Sequence, residues 1–85
     1  MLVLATYPSS HAVLRAEKRL KAAGLAVDLI PVPRQIHSNC GFCILTDLEA
    51  AGDILGSTCP DALWRALDPE PGSLRRRYEP HPSNP

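Results

Sequence analysis

The sequence predicts a small α+β domain in which helices cover one face of an antiparallel sheet. Its 85 residues suit one domain, and a hydrophobic fraction of 45% is enough for one modest core. Patterns typical of strands and helices follow in the order strand, helix, strand, strand, helix, strand, which is the ferredoxin-like split βαβ arrangement. We therefore expect one ferredoxin-like domain over residues 1–79 and a flexible C-terminal tail over residues 80–85.

Short apolar or alternating runs predict three strands in the first half of the chain. Residues 1–6 (MLVLAT) form a continuous apolar run that suits a buried strand. Residues 25–31 (LAVDLIP) partly alternate, and Pro31 and Pro33 end the run because proline has no N–H for a sheet hydrogen bond. Residues 42–46 (FCILT) are apolar and β-branched enough for the third strand.

A longer amphipathic stretch, residues 11–23, predicts the first helix. Its apolar side chains recur on one face, while its arginine and lysine side chains fall on the remaining surface. Ser9 or Ser10 would cap the helix by accepting hydrogen bonds from its first backbone N–H groups. Gly24 follows the last turn, where a left-handed glycine commonly ends a helix.

The second half of the chain gives weaker patterns. Residues 47–55 (DLEAAGDIL) predict a short extra helix, weakened by a glycine. Residues 60–67 predict the better helix, because Pro60 suits the first helical position and Asp61 interacts favourably with the helix dipole. Residues 73–79 predict a last strand at the sheet edge, where arginines discourage further pairing.

This arrangement would bring distant residues together at one end of the sheet. The first two strands would run in the same direction, so the helix between them would begin at the end where the second strand finishes. The loop that carries Cys40 would then lie near residues 7–11. The predicted helix over residues 60–67 would begin at the opposite end, which would separate Cys59 from Cys40.

The stretch PVPRQIHSNCGFCILT, residues 31–46, contains the candidate reactive residue, Cys40. A nucleophilic thiol must be ionised near neutral pH, and nearby cations or a helix N-terminus favour ionisation. Cys40 lies in a polar loop where packing imposes few demands. The groups that would favour its thiolate or hold an incoming anion are Arg34, His37, His11, Ser9 and Gly41. The alternative is that Cys40 is only a small buried residue beside a turn glycine.

Cys43 is predicted to pack in the core rather than to pair with Cys40. In an extended chain, Cα atoms three residues apart are about 10 Å from one another, whereas a disulfide needs less than about 7 Å. The two cysteines would pair only if Gly41 made a tight turn. The residues after Cys43 also do not suit the helix that a thioredoxin-type CxxC requires.

A metal site and a second thiol stay open as alternatives. Structural zinc normally has four ligands. The sequence offers three at metal-like spacing, namely His37, Cys40 and Cys43. The fourth ligand would be Cys59, His11 or His81. Cys59, which precedes Pro60, is either a second reactive thiol at a helix start or a chance residue at a helix cap.

A third alternative is a non-catalytic protein-binding or oligomerisation module. The sheet face opposite the helices would then carry some of Phe42, Ile44 and Ile30, which together would form an apolar surface for a partner.

The composition argues against several partners and compartments. The formal net charge of zero argues against nucleic acid as a main partner. No apolar run approaches the roughly 20 residues of a membrane span, and no signal-peptide pattern is visible. An odd number of cysteines, three, favours free thiols in the cytosol over a disulfide framework. We therefore expect a cytoplasmic protein without a cofactor, and a chain this short often gains stability from a homo-oligomer.

The sequence YPSSHAVLRAEKRLKAAGL, followed by LIPVPRQIHSNCGFCI, resembles a small bacterial domain family described as selenium/sulfur carrier-like. The resemblance covers residues 2 to about 45. The resemblance depends on four motifs. These are a Ser-x-His helix start (Ser9 and His11), an Ala-Glu pair (Ala16 and Glu17), a Pro-x-Pro-Arg motif (Pro31 to Arg34) and a Ser-x-Cys-Gly motif (Ser38 to Gly41). His37 stands where a serine or similar polar residue is expected, and residues 47–59 are interpreted as an insertion.

The resemblance implies a thiol carrier rather than a turnover enzyme. Cys40 would hold sulfur as a persulfide or selenium as a selenenylsulfide. The protein would dock to the proteins that donate and accept the sulfur or selenium atom.

Overall fold

The computed structural model describes residues 1–36, 40–69, 71–72 and 76–81. These residues form two helices and five strands, in the order β1 (Leu2–Thr6), α1 (Ser10–Ala22), β2 (Val27–Pro31), β3 (Phe42–Asp47), α2 (Leu48–Ser57), β4 (Ala62–Leu67) and β5 (Arg77–Pro80). One antiparallel sheet contains all five strands, and both helices pack on one of its faces. The predicted α+β class is confirmed. Neither helix is long and apolar enough to cross a membrane, within the described residues.

The sheet has the strand order β2-β3-β1-β4-β5, and each neighbouring pair is antiparallel. β3 lies between β1 and β2, which α1 connects, and β1 lies between β3 and β4, which α2 connects. Two split βαβ units therefore interleave in one sheet. β5 adds a fifth strand at the edge next to β4.

The prediction of a helix over residues 60–67 is wrong, because Ala62–Leu67 forms β4. β4 pairs with β1, where Leu4 faces Trp64. The segment ALWRAL contains good helix formers, but their intrinsic preferences over strand formers amount to only a few tenths of a kcal/mol per residue. Pairing outweighs these preferences, since a helix here would leave the backbone groups of β1 without a neighbour on that side.

The weakly helical segment 47–55 forms α2, Leu48–Ser57, which is the second crossover helix rather than an extra one. The Asp47 carboxylate caps it by accepting a hydrogen bond from the Glu49 N–H at 3.2 Å. The same carboxylate pairs with the Met1 amino group at 3.0 Å. The segment interpreted as an insertion is therefore part of the main fold.

The last predicted strand, residues 73–79, corresponds to β5, which spans Arg77–Pro80. Residues 73–75 lie outside the described residues. After β5, the His81 N–H donates to the Leu63 carbonyl at 3.0 Å, so the described chain stays attached to the sheet as far as His81. Residues 82–85 of the predicted tail also lie outside the described residues.

The first helix begins one residue earlier than predicted, and Ser9 is its cap. The Ser9 Oγ accepts a hydrogen bond from the Ala12 N–H at 3.2 Å. Gly24 has a φ of 79°, which confirms the left-handed residue predicted after the helix. The helix buries one apolar face against the sheet, formed by Val13, Ala16 and Leu20.

Alanine substitutions at Gly24 and Gly41 should have different effects on stability. Gly24→Ala should lower the free energy of unfolding by about 1–2 kcal/mol, because a side chain at positive φ is strained. Gly41 does not have a positive φ, and an added Cβ would meet no atom within 4 Å. Gly41→Ala should therefore leave stability unchanged or raise it by up to about 1 kcal/mol. Urea denaturation of both variants measures the two changes in stability. Equal losses of stability in the two variants would contradict the prediction.

Two hydrophobic clusters lie on the two faces of the sheet. The helix-side cluster lies between the sheet and the helices and contains the buried residues Val3, Ala5, Tyr7, Val13, Ala16, Leu20, Cys40, Ile44, Ala51 and Leu55. The opposite-face cluster has three buried residues, Leu4, Ile36 and Cys43. Around them pack the partly buried side chains Ile30, Val32, Leu45, Trp64 and Tyr78.

The sheet face opposite the helices is partly covered by the connection between β2 and β3. Val32 and Ile36, from the connection between β2 and β3, pack on it, and Ile36 is buried. The placement of Ile44 on this face is wrong, because Ile44 packs in the helix-side cluster. Ile30 does pack on the opposite face, and Phe42 is an exposed apolar side chain at the start of β3.

Candidate functional site

All three cysteines lie at one end of the sheet, which we call the thiol end. Thr6, the last residue of β1, faces Cys43 in β3 on one side and Ala62 in β4 on the other. Cys40 precedes β3 and Cys59 precedes β4, so both lie at this end. α1 also begins here, directly after β1.

The prediction that Cys59 lies at the opposite end from Cys40 is wrong. It depended on a helix over residues 60–67, whereas the chain actually reaches Cys59 from the C-terminal end of α2. A hydrogen bond of 2.7 Å from the Asp61 N–H to the Thr6 carbonyl ties this connection to the end of β1.

Cys40 is buried, with 4% of its surface exposed, and packs in the helix-side cluster. The expectation of a polar loop with few packing demands is therefore wrong for this residue. Its sulfur accepts a hydrogen bond from the Phe42 N–H at 3.5 Å. An N–H donor interacts more strongly with a charged sulfur than with a neutral thiol.

Cys43 is fully buried in the opposite-face cluster, and its thiol is a hydrogen-bond donor. Its sulfur lies 3.6 Å from the Ile30 carbonyl oxygen and 3.9 Å from that of Pro31. Burial raises the pKa of Cys43 to about 11, and the negative charge of a Cys40 thiolate adds to the increase. Cys43 is therefore a neutral thiol near physiological pH, which agrees with a packing role.

The raised pKa of Cys43 predicts that the protein loses stability in alkaline solution. Because the folded pKa of about 11 exceeds the unfolded value of 9.0, this stabilisation is complete below pH 9 and is lost as pH rises toward 11. Between about pH 8 and about pH 10, the free energy of unfolding should fall by about 1.4 kcal/mol from Cys43 alone. Urea denaturation at both pH values measures the loss. A Cys43→Val variant that lost as much stability as the wild type would contradict the assignment.

None of the three cysteines forms a disulfide. Cys40 and Cys43 belong to clusters on different faces of the sheet, and Gly41 does not adopt the positive φ of a tight glycine turn. Among the described residues, no three His, Cys, Asp or Glu side chains gather as metal ligands. His37, which the zinc hypothesis requires, lies outside the described residues.

Ser9 and His11 lie at the thiol end, but each side chain has a local partner. The Ser9 hydroxyl caps α1 through the Ala12 N–H. His11 Nε2 lies 3.2 Å from Arg15 Nη2, one turn further along the helix. Gly41 closes the hairpin between β2 and β3, because its carbonyl accepts a hydrogen bond from the Val32 N–H at 3.1 Å.

Arg34 lines a cavity of about 290 Å³, together with Pro33, Gln35, Arg76 and Tyr78. Cys40 is not among these lining residues. The Gln35 side chain donates to the Arg76 carbonyl at 3.1 Å and so attaches the β2–β3 connection to the start of β5. The structure therefore groups Arg34 with Arg76, which no local sequence pattern indicates because the two residues lie 42 positions apart.

Cys59 lines a second cavity, of about 280 Å³, between α1 and the end of α2. Arg15 and Arg19 line it as well, although the amphipathic pattern of α1 predicts only a solvent-facing position for both. Their i, i+4 spacing was the available signal, since it places two guanidinium groups on one face of the helix.

Comparison with known proteins identifies a family. Residues 2–57 match the family model described as "Putative Se/S carrier protein-like". The match runs from β1 through α2, further than the resemblance to residue 45, and it includes Cys40 and Cys43 but not Cys59. Neither a curated protein nor a solved structure matches the chain. Because the match spans about two thirds of its length, the chain belongs to the Se/S carrier protein-like family.

Proposed function

We propose that this protein carries sulfur or selenium on the Cys40 thiol, between a donor protein and an acceptor protein. The family description supports the carrier role in general terms. The choice of Cys40 is our inference from the hydrogen bonds of the two cysteines in the matched segment.

The opposite hydrogen-bond roles of Cys40 and Cys43 are the observation that supports this choice. The Cys40 sulfur accepts a hydrogen bond from the Phe42 N–H at 3.5 Å, and an N–H donor interacts more strongly with a thiolate than with a neutral thiol. The Cys43 thiol donates to backbone carbonyls and has a pKa of about 11, which keeps it protonated. We choose Cys40 as the nucleophile because its sulfur accepts a backbone N–H, whereas the Cys43 thiol stays protonated.

The transfer step exchanges one S–S bond for another. The Cys40 thiolate attacks the outer sulfur of a persulfide on the donor protein, and a new bond joins that sulfur to Cys40. The donor's S–S bond breaks, and the donor cysteine leaves as a thiolate. No external oxidant is needed, because the transferred sulfur keeps its oxidation state. The acceptor protein removes the sulfur by the same kind of attack, and the reducing cytosol is the compartment in which these thiols would stay available.

Other residues have supporting roles in this proposal. Arg34, His37 and His11 are the candidate cations that attract the anionic outer sulfur of a donor persulfide or the outer selenium of a donor selenenylsulfide. Ser9 fixes the start of α1 and Gly41 closes the hairpin beside Cys40. Because only 4% of Cys40 is exposed, docking of the donor must expose the sulfur, so we expect transfer from a protein to be faster than from a small molecule.

Loading with a cysteine desulfurase tests the proposal. The protein is incubated with the desulfurase and cysteine, and the intact mass is recorded without reducing agent. We expect a gain of one sulfur atom that dithiothreitol removes, and a parallel reaction with a selenocysteine lyase reports selenium. A Cys59→Ser variant serves as the control that keeps Cys40 intact and should still load. No mass gain with either enzyme would contradict the proposal.

A further inference from the structure

The cavity lined by Cys59 has chemistry that the Cys40 proposal does not use. It has a volume of about 280 Å³, and its lining residues are Ala12, Arg15, Arg19, Ser57, Thr58 and Cys59. Cys59 is exposed, whereas Cys40 and Cys43 are buried. The cavity therefore combines an accessible sulfur with two guanidinium groups.

The two guanidinium groups make the cavity positively charged. No carboxylate is among its lining residues, and neither arginine forms an ion pair with Asp or Glu in the described part of the chain. By contrast, Lys21 on the same helix pairs with Glu17 at 3.4 Å. Arg15 contacts His11 at 3.2 Å, and Arg19 donates to a backbone carbonyl of α2 at 3.4 Å. Since a guanidinium has five N–H donors, each arginine keeps donors for an anionic ligand.

The segment that carries Cys59 is braced against the core. Thr58 donates its hydroxyl hydrogen to the Leu55 carbonyl at 2.6 Å, so the 2.7 Å contact between Thr58 Oγ1 and the Tyr7 hydroxyl has Tyr7 as donor. The Cys59 N–H donates to the Gly56 carbonyl at 3.3 Å. These bonds hold the segment beside the arginines at the end of α2.

We propose that Cys59 is a second reactive thiol, whose substrates are low-molecular-weight disulfides that carry carboxylate groups. The Cys59 thiolate attacks one sulfur of the disulfide and forms a mixed disulfide with that half. The original S–S bond breaks, and the other half leaves as a thiolate that takes a proton from water. Arg15 and Arg19 bind the carboxylates, and the cavity volume, just below the usual range for ligand sites, suits one half of such a compound.

This site is independent of the proposed carrier function. Cys59 lies outside the segment that matches the family, and its reaction requires neither a donor protein nor Cys40. The two ideas can therefore fail separately.

A series of three disulfides of similar size and different charge tests the proposal. Dithiodipropionate is a dianion, hydroxyethyl disulfide is neutral, and cystamine is a dication. The rate of mixed-disulfide formation is followed by mass spectrometry and divided by the rate for an isolated peptide of residues 53–60. We expect the dianion to react with the protein about tenfold faster than the neutral compound, and cystamine to react more slowly than both.

Charge variants on α1 identify the source of this selectivity. A double Arg15→Gln, Arg19→Gln variant should lose the preference for the dianion, and an Arg15→Lys, Arg19→Lys variant should keep most of it. Lys18→Gln removes an exposed cation of α1 that does not line the cavity, so it should react as the wild type does. Circular dichroism confirms that each variant is folded.

The position of the adduct completes the test. Cleavage before aspartate separates residues 53–60, which contain Cys59, from residues 28–46, which contain Cys40 and Cys43. We expect the adduct on residues 53–60. Equal normalised rates for the three disulfides, selectivity that survives in the double glutamine variant, or an adduct on residues 28–46 would overturn the proposal.

Discussion

Replacement of Cys40 by serine should reduce sulfur loading to background. Serine keeps the size of the side chain and can still accept the Phe42 N–H, but its hydroxyl is not ionised near neutral pH and cannot form a persulfide. Since Cys40 packs in the helix-side cluster, the substitution should cost about 1–2 kcal/mol of stability, which leaves the protein folded. Intact mass after incubation with a cysteine desulfurase measures the loading.

Cys43→Val is the matched control for this experiment. It removes the other buried thiol of the matched segment and leaves Cys40 and its hydrogen-bond donor in place. We expect this variant to load as the wild type does. Loading that survives in Cys40→Ser and disappears in Cys43→Val would reverse the assignment of the two cysteines.

Replacement of Tyr7 by alanine should remove a large part of the stability of the protein. Tyr7 is fully buried and is the largest such side chain of the core. Truncation of a buried aromatic side chain costs about 3–5 kcal/mol, and a chain of this length has a total stability of about 4–13 kcal/mol. The variant should therefore lose a large part of its stability, measured as the midpoint of urea denaturation.

Tyr7→Phe separates the ring of Tyr7 from its hydroxyl group. The ring fills the helix-side cluster, while the hydroxyl donates to Thr58 at 2.7 Å and connects β1 to the end of α2. Loss of this one hydrogen bond should cost about 1 kcal/mol. If Tyr7→Ala and Tyr7→Phe lost the same amount of stability, the ring of Tyr7 would not contribute to the core as the structure indicates.

The first half of the chain could be predicted from local patterns, because its elements are punctuated by residues with one clear structural role. Ser9 caps α1, Gly24 ends it at a positive φ, and Pro31 closes β2. Each of these acts within a few residues, so the sequence alone contains the information.

The second half could not be predicted in the same way, because its structure depends on a distant neighbour. Residues 62–67 form a strand through pairing with β1, more than 50 positions earlier. The local helix propensity of residues 62–67 predicted a helix there. The wrong helix prediction also placed Cys59 at the wrong end of the sheet. The position of Arg34 beside Arg76 depends on β5 in the same way.

The burial of Cys40 was the other feature that the sequence did not reveal. Its neighbours in sequence are polar, but the connection between β2 and β3 folds back on the sheet through Val32 and Ile36. Cys40 itself packs on the other face, in the helix-side cluster. Cys40 is therefore buried although its preceding residues are polar, because it packs in a cluster whose other members come from distant parts of the chain.

Location of the transferred sulfur in the wild-type protein is the most direct test of the carrier proposal. After loading by the desulfurase, the persulfide is alkylated, the protein is cleaved before aspartate, and residues 28–46 are fragmented to distinguish Cys40 from Cys43. We predict that the extra sulfur lies on Cys40. Sulfur found only on Cys43, or only on Cys59 in residues 53–60, would contradict the account.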